Sequence, residues 1–171
     1  MDEPLPLKQV PLPPGFGSAR GSEHEVWFVQ GESHVIKATH AGEFGRVFGP
    51  KQFASLPEYL ARVALTNEVF GLDWEILGVH GEGRRLRVVS RQPVIRGRAA
   101  TLAEIREFMV CRGFVLHRTR FGDAWYRKDD NLLVSDAEPN NVLATDNGLV
   151  PIDVLVCKPS NELQSQSGIV R

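Results

Sequence analysis

The order of apolar and turn patterns along the chain predicts an α+β domain built on antiparallel sheet. Three observations predict it. Strand-like alternation comes in pairs joined by short turns, and two segments open with helix caps. The sequence of elements runs strands, helix, strands, helix, strands, unlike the regular alternation of a doubly wound fold.

Each element has its own warrant. Residues 1–14 carry five prolines and read as an extended arm that either lies along the surface or dangles. Glu25–Val29 and Ser33–Thr39 alternate and are rich in β-formers, with Gln30-Gly31-Glu32 as the turn of a hairpin. Ser55-Leu-Pro-Glu58 caps a helix in which Leu56, Leu60, Val63, Asn67 and Phe70 recur at helical spacing, and Gly71 ends it. Trp74–Val79 and Arg84–Ser90 are strands around His80-Gly-Glu-Gly83. Thr101-Leu-Ala-Glu104 caps a second helix that runs to about Cys111 and stops at Gly113. Ala124–Arg127 pairs with Leu132–Ser135 across Lys128–Asn131, and Asn141–Ala144 pairs with Leu149–Ile152 across Asp146-Asn-Gly148. Residues 159–171 are polar and aperiodic and read as a tail.

Composition sets limits. The chain has 171 residues, 42% of them apolar, and a formal net charge of −1, enough for one ordinary globular domain. A charge so near zero offers no broad basic field to nucleic acid. No run approaches the ~20 apolar residues of a membrane span. The acidic start Met-Asp-Glu-Pro is not a signal peptide. Cys111 and Cys157 read as two reduced thiols, and with these features the expectation is a cytoplasmic protein. The five histidines lack metal-ligand spacing, and no Gly-x-Ser-x-Gly occurs, so neither a zinc site nor a serine hydrolase is expected.

The stretch that carries chemistry is Asp136-Ala-Glu-Pro-Asn-Asn141, followed by Gly148-Leu-Val-Pro-Ile152 and then Asp153. Folding requires no acid after that apolar run, and a buried charge needs a partner. A plain turn accounts for the proline and amides but not for Asp153. The functional reading uses all three: Asp136 takes the proton of an attacking hydroxyl, while Asn141 and Asp153 hold Mg²⁺ through oxygen ligands. Lys37, in Val35-Ile-Lys-Ala38, is either an outward lysine on an alternating strand or a cation placed to meet nucleotide phosphates. Glu68 is the carboxylate expected to orient it, since the cap already accounts for Glu58. Gly15-Phe-Gly-Ser-Ala-Arg-Gly21 is either a connector from the arm or a loop whose backbone N–H groups cradle phosphate. Trp125-Tyr126 reads as core, and Arg112, Arg118, Arg120 and Arg127 read as solvated basics.

These residues resemble kinase motifs. Protein kinases carry His-Arg-Asp-x-x-x-x-Asn in the catalytic loop, and small-molecule kinases carry Asp-x-His-Pro-x-Asn. Asp136 to Asn141 keep the acid, the proline three on and the asparagine five on, and Pro-Ile-Asp153 stands where those families keep their metal-binding acid. More narrowly, the chain resembles the kinase-like domain of phage and mobile-element polyvalent proteins. The strings are Gly-Ser-Glu-His24, Val-Ile-Lys-Ala38, Gly42-Glu-Phe-Gly45, Tyr59-Leu-Ala-Arg62, Asn67-Glu-Val-Phe70, Ser90-Arg-Gln-Pro93 and Gly97, in shared order over roughly residues 15–158.

The resemblance implies a minimal two-lobed protein-kinase-like fold with ATP and Mg²⁺ as ligands. The N-lobe would span about 15–92, an antiparallel sheet with one main helix, and a truncated C-lobe about 93–158. It also implies that Lys37, Glu68 and the Gly21 loop serve the nucleotide, with adenine at the Gln92 connection. Its partners would be a nucleotide and a protein or small-molecule substrate. This chain departs from the pattern in three ways. Val134-Ser135 replaces His-Arg, Glu138 stands where protein kinases keep a lysine, and Val154 follows Asp153 in place of Phe-Gly. About 18 residues follow Asp153, so neither an activation segment nor a large helical lobe is expected. The readings are therefore an ATP- and Mg²⁺-dependent phosphotransferase, a pseudokinase that senses nucleotide or binds protein, and an enzyme that transfers AMP.

Overall fold

The computed structural model describes residues 7–15, 17 and 19–169. The fold is α+β: three α-helices and antiparallel sheets among the described residues, divided into two compact units. The first unit includes residues up to Arg46, Phe53–Val63 and Asp73–Val94; the second includes Val47–Gln52, Ala64–Leu72 and everything from Ile95.

The first unit is a five-stranded sheet. Its strands are β1 (Ala19–Arg20), β2 (His24–Phe28), β3 (His34–Thr39), β4 (Glu75–His80) and β5 (Arg87–Pro93), in the order β1-β2-β3-β5-β4. Every pairing is antiparallel, and the register puts Val26, Lys37 and Ser90 side by side. Laterally paired residues share a face and alternate along each strand. One face therefore carries His24, Val26, Val35, Lys37, Thr39, Val88, Ser90 and Gln92. The other carries Glu25, Trp27, Ile36, Ala38 and Val89, where Trp27, Ala38 and Val89 form a buried cluster under Val10 and Leu12.

Those last two residues belong to the proline-rich arm, which is tied down. Gln9 bridges Val79 in parallel, the Val10 N–H donates to Val79 O at 2.8 Å, and the Val79 N–H donates to Lys8 O at 2.9 Å. The arm thus covers the open edge of β4, where unpaired backbone would otherwise invite another strand. Residues 1–6 of the arm lie outside the described residues.

Helix α1 (Leu56–Phe70) matches its predicted limits. Glu58 accepts from the Ser55 N–H at 2.6 Å and its hydroxyl at 2.7 Å, which is the cap role expected of it. The buried face of the helix differs from the apolar stripe. Tyr59, Arg62, Val63 and Thr66 are buried, whereas Leu56, Leu60, Asn67 and Phe70 are only half-buried.

The second unit packs around a four-stranded sheet. Its strands are β7 (Val115–Thr119), β8 (Gly122–Arg127), β9 (Leu132–Ser135) and β12 (Leu155–Cys157), in the order β12-β9-β8-β7. A small second sheet joins β6 (Arg98–Ala99), β10 (Val142–Thr145) and β11 (Gly148–Pro151), in the order β11-β10-β6. Helix α2 (Leu102–Val110) starts at a full capping box between Thr101 and Glu104. Its Ile105 and Met109 join Phe114, Trp125, Leu132, Val134, Val142, Val154 and Val156 in the main core, against which Leu65, Val69 and Phe70 pack. Trp125 and Tyr126 are core, on opposite faces of β8.

The segment read as a polar tail is not a loose tail. Residues Asn161–Ser167 form helix α3, capped by the Ser160 side chain and closed at Gly168 with φ 74°. Leu163 and Ile169 cover the second face of the sheet with Phe48, Tyr126 and Leu133. Asn131 locks the helix in place: its Oδ1 accepts from Gln164 Nε2 at 2.7 Å and from the Tyr126 hydroxyl at 3.1 Å. Polar residues with few apolar partners leave no periodic pattern, and the sequence reading missed the helix for that reason. Residues 170–171 lie outside the described ones.

Candidate functional site

In the first unit, Lys37 stands mid-strand on the face with His24 and Ser90. It is half-buried, and its Nζ lies 5.4 Å from the centroid of the Trp74 ring. That placement excludes the plain outward lysine. Trp74 is 2% exposed and also receives the Arg62 guanidinium at 5.9 Å. Each cation over an indole face contributes about 0.5–2 kcal/mol, the larger value when water is absent. His24 and Tyr59 meet the edges of the same ring, and His24 Nε2 lies 2.9 Å from the Tyr59 hydroxyl. Burial first, and then the charges of Lys37 and Arg62 with the nearby His40, hold the His24 imidazole well below its usual range, so it is neutral in the folded protein.

Glu23 and Arg62 complete this cluster. Arg62 Nη1 donates to Glu23 Oε2 at 2.7 Å, and both side chains are almost fully buried. The other carboxylate oxygen accepts from the Arg46 N–H at 2.8 Å. Sequence reasoning assigned neither residue, although both lie in the strings that carry the family resemblance. Glu68, the predicted partner of Lys37, is exposed on α1.

The glycine-rich stretch divides. Gly15 and Gly17 lie against the face opposite Lys37: the Gly17 N–H donates to Glu25 Oε1 at 2.7 Å, and Trp27 Nε1 donates to Gly15 O at 3.4 Å. Gly21 instead occupies the turn from β1 to β2, donating its N–H to His24 O at 2.8 Å. Phe16 and Ser18 lie outside the described residues. Gln92 is buried on β5 beside Val35, on the Lys37 face.

In the second unit, β9 ends at Ser135 and the chain turns at Asp136, which adopts φ 58°. Left-handed backbone is uncommon for any residue but glycine, and Asp and Asn tolerate it best. Asp136 O accepts from the Glu138 N–H at 3.0 Å and from Asn141 Nδ2 at 2.9 Å. Asn141 O accepts from the Ile152 N–H at 2.8 Å, one residue before Asp153. The β10–β11 hairpin, with Val142 opposite Pro151, therefore brings Asp153 back beside the turn that carries Asp136 and Asn141.

One family matches this chain over residues 9–158, described as a serine/threonine/tyrosine kinase found in polyvalent proteins. The chain belongs to that family. No curated protein and no solved structure matches it. Phosphoryl transfer by kinases depends on positioned charge more than on covalent steps. The family match covers Lys37, Glu68, Asp136, Asn141 and Asp153 but stops before α3. No helix of the described residues is long and apolar enough to cross a membrane.

The donor set around Asp136 suits a hard cation. Only an N–H can donate to the Asp136 carbonyl, so that bond commits the amide nitrogen of Asn141 and turns its Oδ1, a pure acceptor, elsewhere. An amide oxygen and the Asp153 carboxylate are ligands of the type Mg²⁺ takes.

Proposed function

We propose that the protein is an ATP- and Mg²⁺-dependent phosphotransferase with a minimal two-lobed kinase-like fold, acting on a hydroxyl of a protein or small molecule. The observation that carries the reading is the turn at Asp136. Its acid takes left-handed backbone, its carbonyl accepts from the Asn141 side chain, and the β10–β11 hairpin returns Asp153 beside both.

In this reading the Asp136 carboxylate accepts the proton of the substrate hydroxyl as that oxygen attacks the γ-phosphorus. The hydroxyl oxygen gains the phosphoryl group, and ADP leaves. Lys37 offsets negative charge on the phosphates, and Glu68 belongs to the same reading as its orienting acid. The Gly21 turn supplies backbone N–H groups, and the chain near Gln92 receives adenine. Asn141 and Asp153 would hold Mg²⁺, which neutralises developing charge on the phosphate oxygens.

The test is γ-phosphate transfer and ATP hydrolysis by wild type and Asp136→Ala. Equal rates would end the assignment of Asp136. Glu138, exposed two residues beyond Asp136 where protein kinases keep a lysine, favours a second reading, a pseudokinase. ATP binding without turnover by the wild type would establish it. Product masses separate phosphoryl transfer from AMP transfer.

A further inference from the structure

Two opposite charges in the first unit have been taken out of water. The Glu23 and Arg62 side chains are 6% and 5% exposed and meet at 2.7 Å. Gly45 forms the wall beside them: a Cβ there would lie 3.1 Å from Glu23 Oε2 and 3.2 Å from Arg62 Nη1. Its φ of 79° also suits glycine. Desolvation offsets most of the attraction in a pair of this kind, and apolar residues of similar volume are often as stable.

The pair's acidic end follows directly on the turn that holds Gly21, and its basic end lies on α1. The Trp74 ring touches both Arg62 and Lys37, two like charges over one indole. The Glu23 carboxylate offsets the guanidinium and so lets the ammonium stand near it. His24 and His40 also belong to this electrostatic neighbourhood.

We propose that Glu23 and Arg62 are a positioning pair for the nucleotide phosphates, holding the Gly21 turn and the Lys37 ammonium in fixed relation. The proposal rests on the phosphotransferase reading. It assigns to a loop acid and a helix base the task of aligning the phosphate-binding parts of this unit.

The test is the double variant Glu23→Gln with Arg62→Met, which removes both charges at nearly constant volume. It is expected to keep its thermal midpoint close to that of the wild type while binding ATP with Mg²⁺ roughly tenfold more weakly by calorimetry. A folded double variant that binds ATP as tightly as the wild type overturns the proposal. If the double variant does not fold, Glu23→Asp keeps both charges and withdraws the carboxylate by one methylene. Its ATP affinity is then expected to fall about threefold, and an unchanged affinity overturns the proposal.

Failure of the phosphotransferase reading looks different, because the wild type itself would then not bind ATP. The pair would in that case be judged by the acylation rate of Lys37 at fixed pH, mapped by mass spectrometry. That rate is expected to differ about threefold between the double variant and the wild type, and equal rates overturn the proposal.

Discussion

Asn141 donates its side-chain N–H to the main-chain carbonyl of Asp136 at 2.9 Å, closing a turn in which Asp136 itself has φ 58°. The bond engages the main-chain carbonyl of the acid rather than its carboxylate. Two residues five apart thereby become one rigid unit at the end of β9.

The backbone of Asp136 separates two substitutions. Asp136→Asn keeps a residue that tolerates left-handed geometry, so stability should stay within about 0.5 kcal/mol of the wild type. Asp136→Ala should cost about 1–2 kcal/mol from the same backbone. Both should lower phosphoryl transfer by on the order of 10²–10⁴, the usual contribution of a general base. Urea unfolding read beside γ-phosphate transfer checks the pair. Equal stability of the two variants would remove the strain argument.

The clamp is tested by Asn141→Asp, which keeps the shape but sets an acceptor against the Asp136 carbonyl. A loss of about 0.5–1.5 kcal/mol is expected, the net contribution of a hydrogen bond that water can also reach. A variant as stable as the wild type in chemical denaturation would show that the bond does not hold the turn.

His24 makes stability depend on pH. Its folded pKa lies below the unfolded value of 6.5, so below that pH the unfolded chain binds a proton that the folded protein refuses. Stability should therefore fall as pH drops below about 6.5, by up to about 1.4 kcal/mol per pH unit. The loss should continue until the pH reaches the lowered folded value. His24→Gln should flatten that slope in denaturation curves taken between pH 7 and pH 5, and an unchanged slope would place the effect elsewhere.

Helix α3 should behave as part of the fold. Ile169→Ala removes a side chain only 4% exposed in the cluster with Phe48, Tyr126 and Leu133, and should cost about 2–4 kcal/mol. Thermal unfolding of Ile169→Ala and of a chain ending at Lys158 checks this. Wild-type stability of the shorter chain would show that α3 merely rests on the surface.

Much of the fold was legible because its hairpins carry their own turn chemistry. Asp146-Asn-Gly148 marked the β10–β11 turn, and Ser55 and Thr101 marked both long helices. The short strands β1, β6 and β12 had too few residues to show alternation, and β7 lies where the reading placed only scattered basics. The missed helix had weak signals of its own, Ser160 before it and Gly168 after it. In the candidate site, the acid and amide of the Asp136 turn were readable from spacing. The Glu23–Arg62 pair was not, because an arginine on a helix face reads as solvated until its partner, 39 residues away, is known.

The sequence by itself determined the local choices: where helices start, where hairpins turn, and which acid and amide stand five residues apart. Those depend on nearest neighbours in the chain, and turn and cap preferences act at that range. Tertiary structure decided which polar residues were buried and which partners compensated them. The energy of a buried charge depends on groups distant in sequence, so Lys37 over Trp74, Arg62 against Glu23 and Gln164 on Asn131 exist only once the chain has folded.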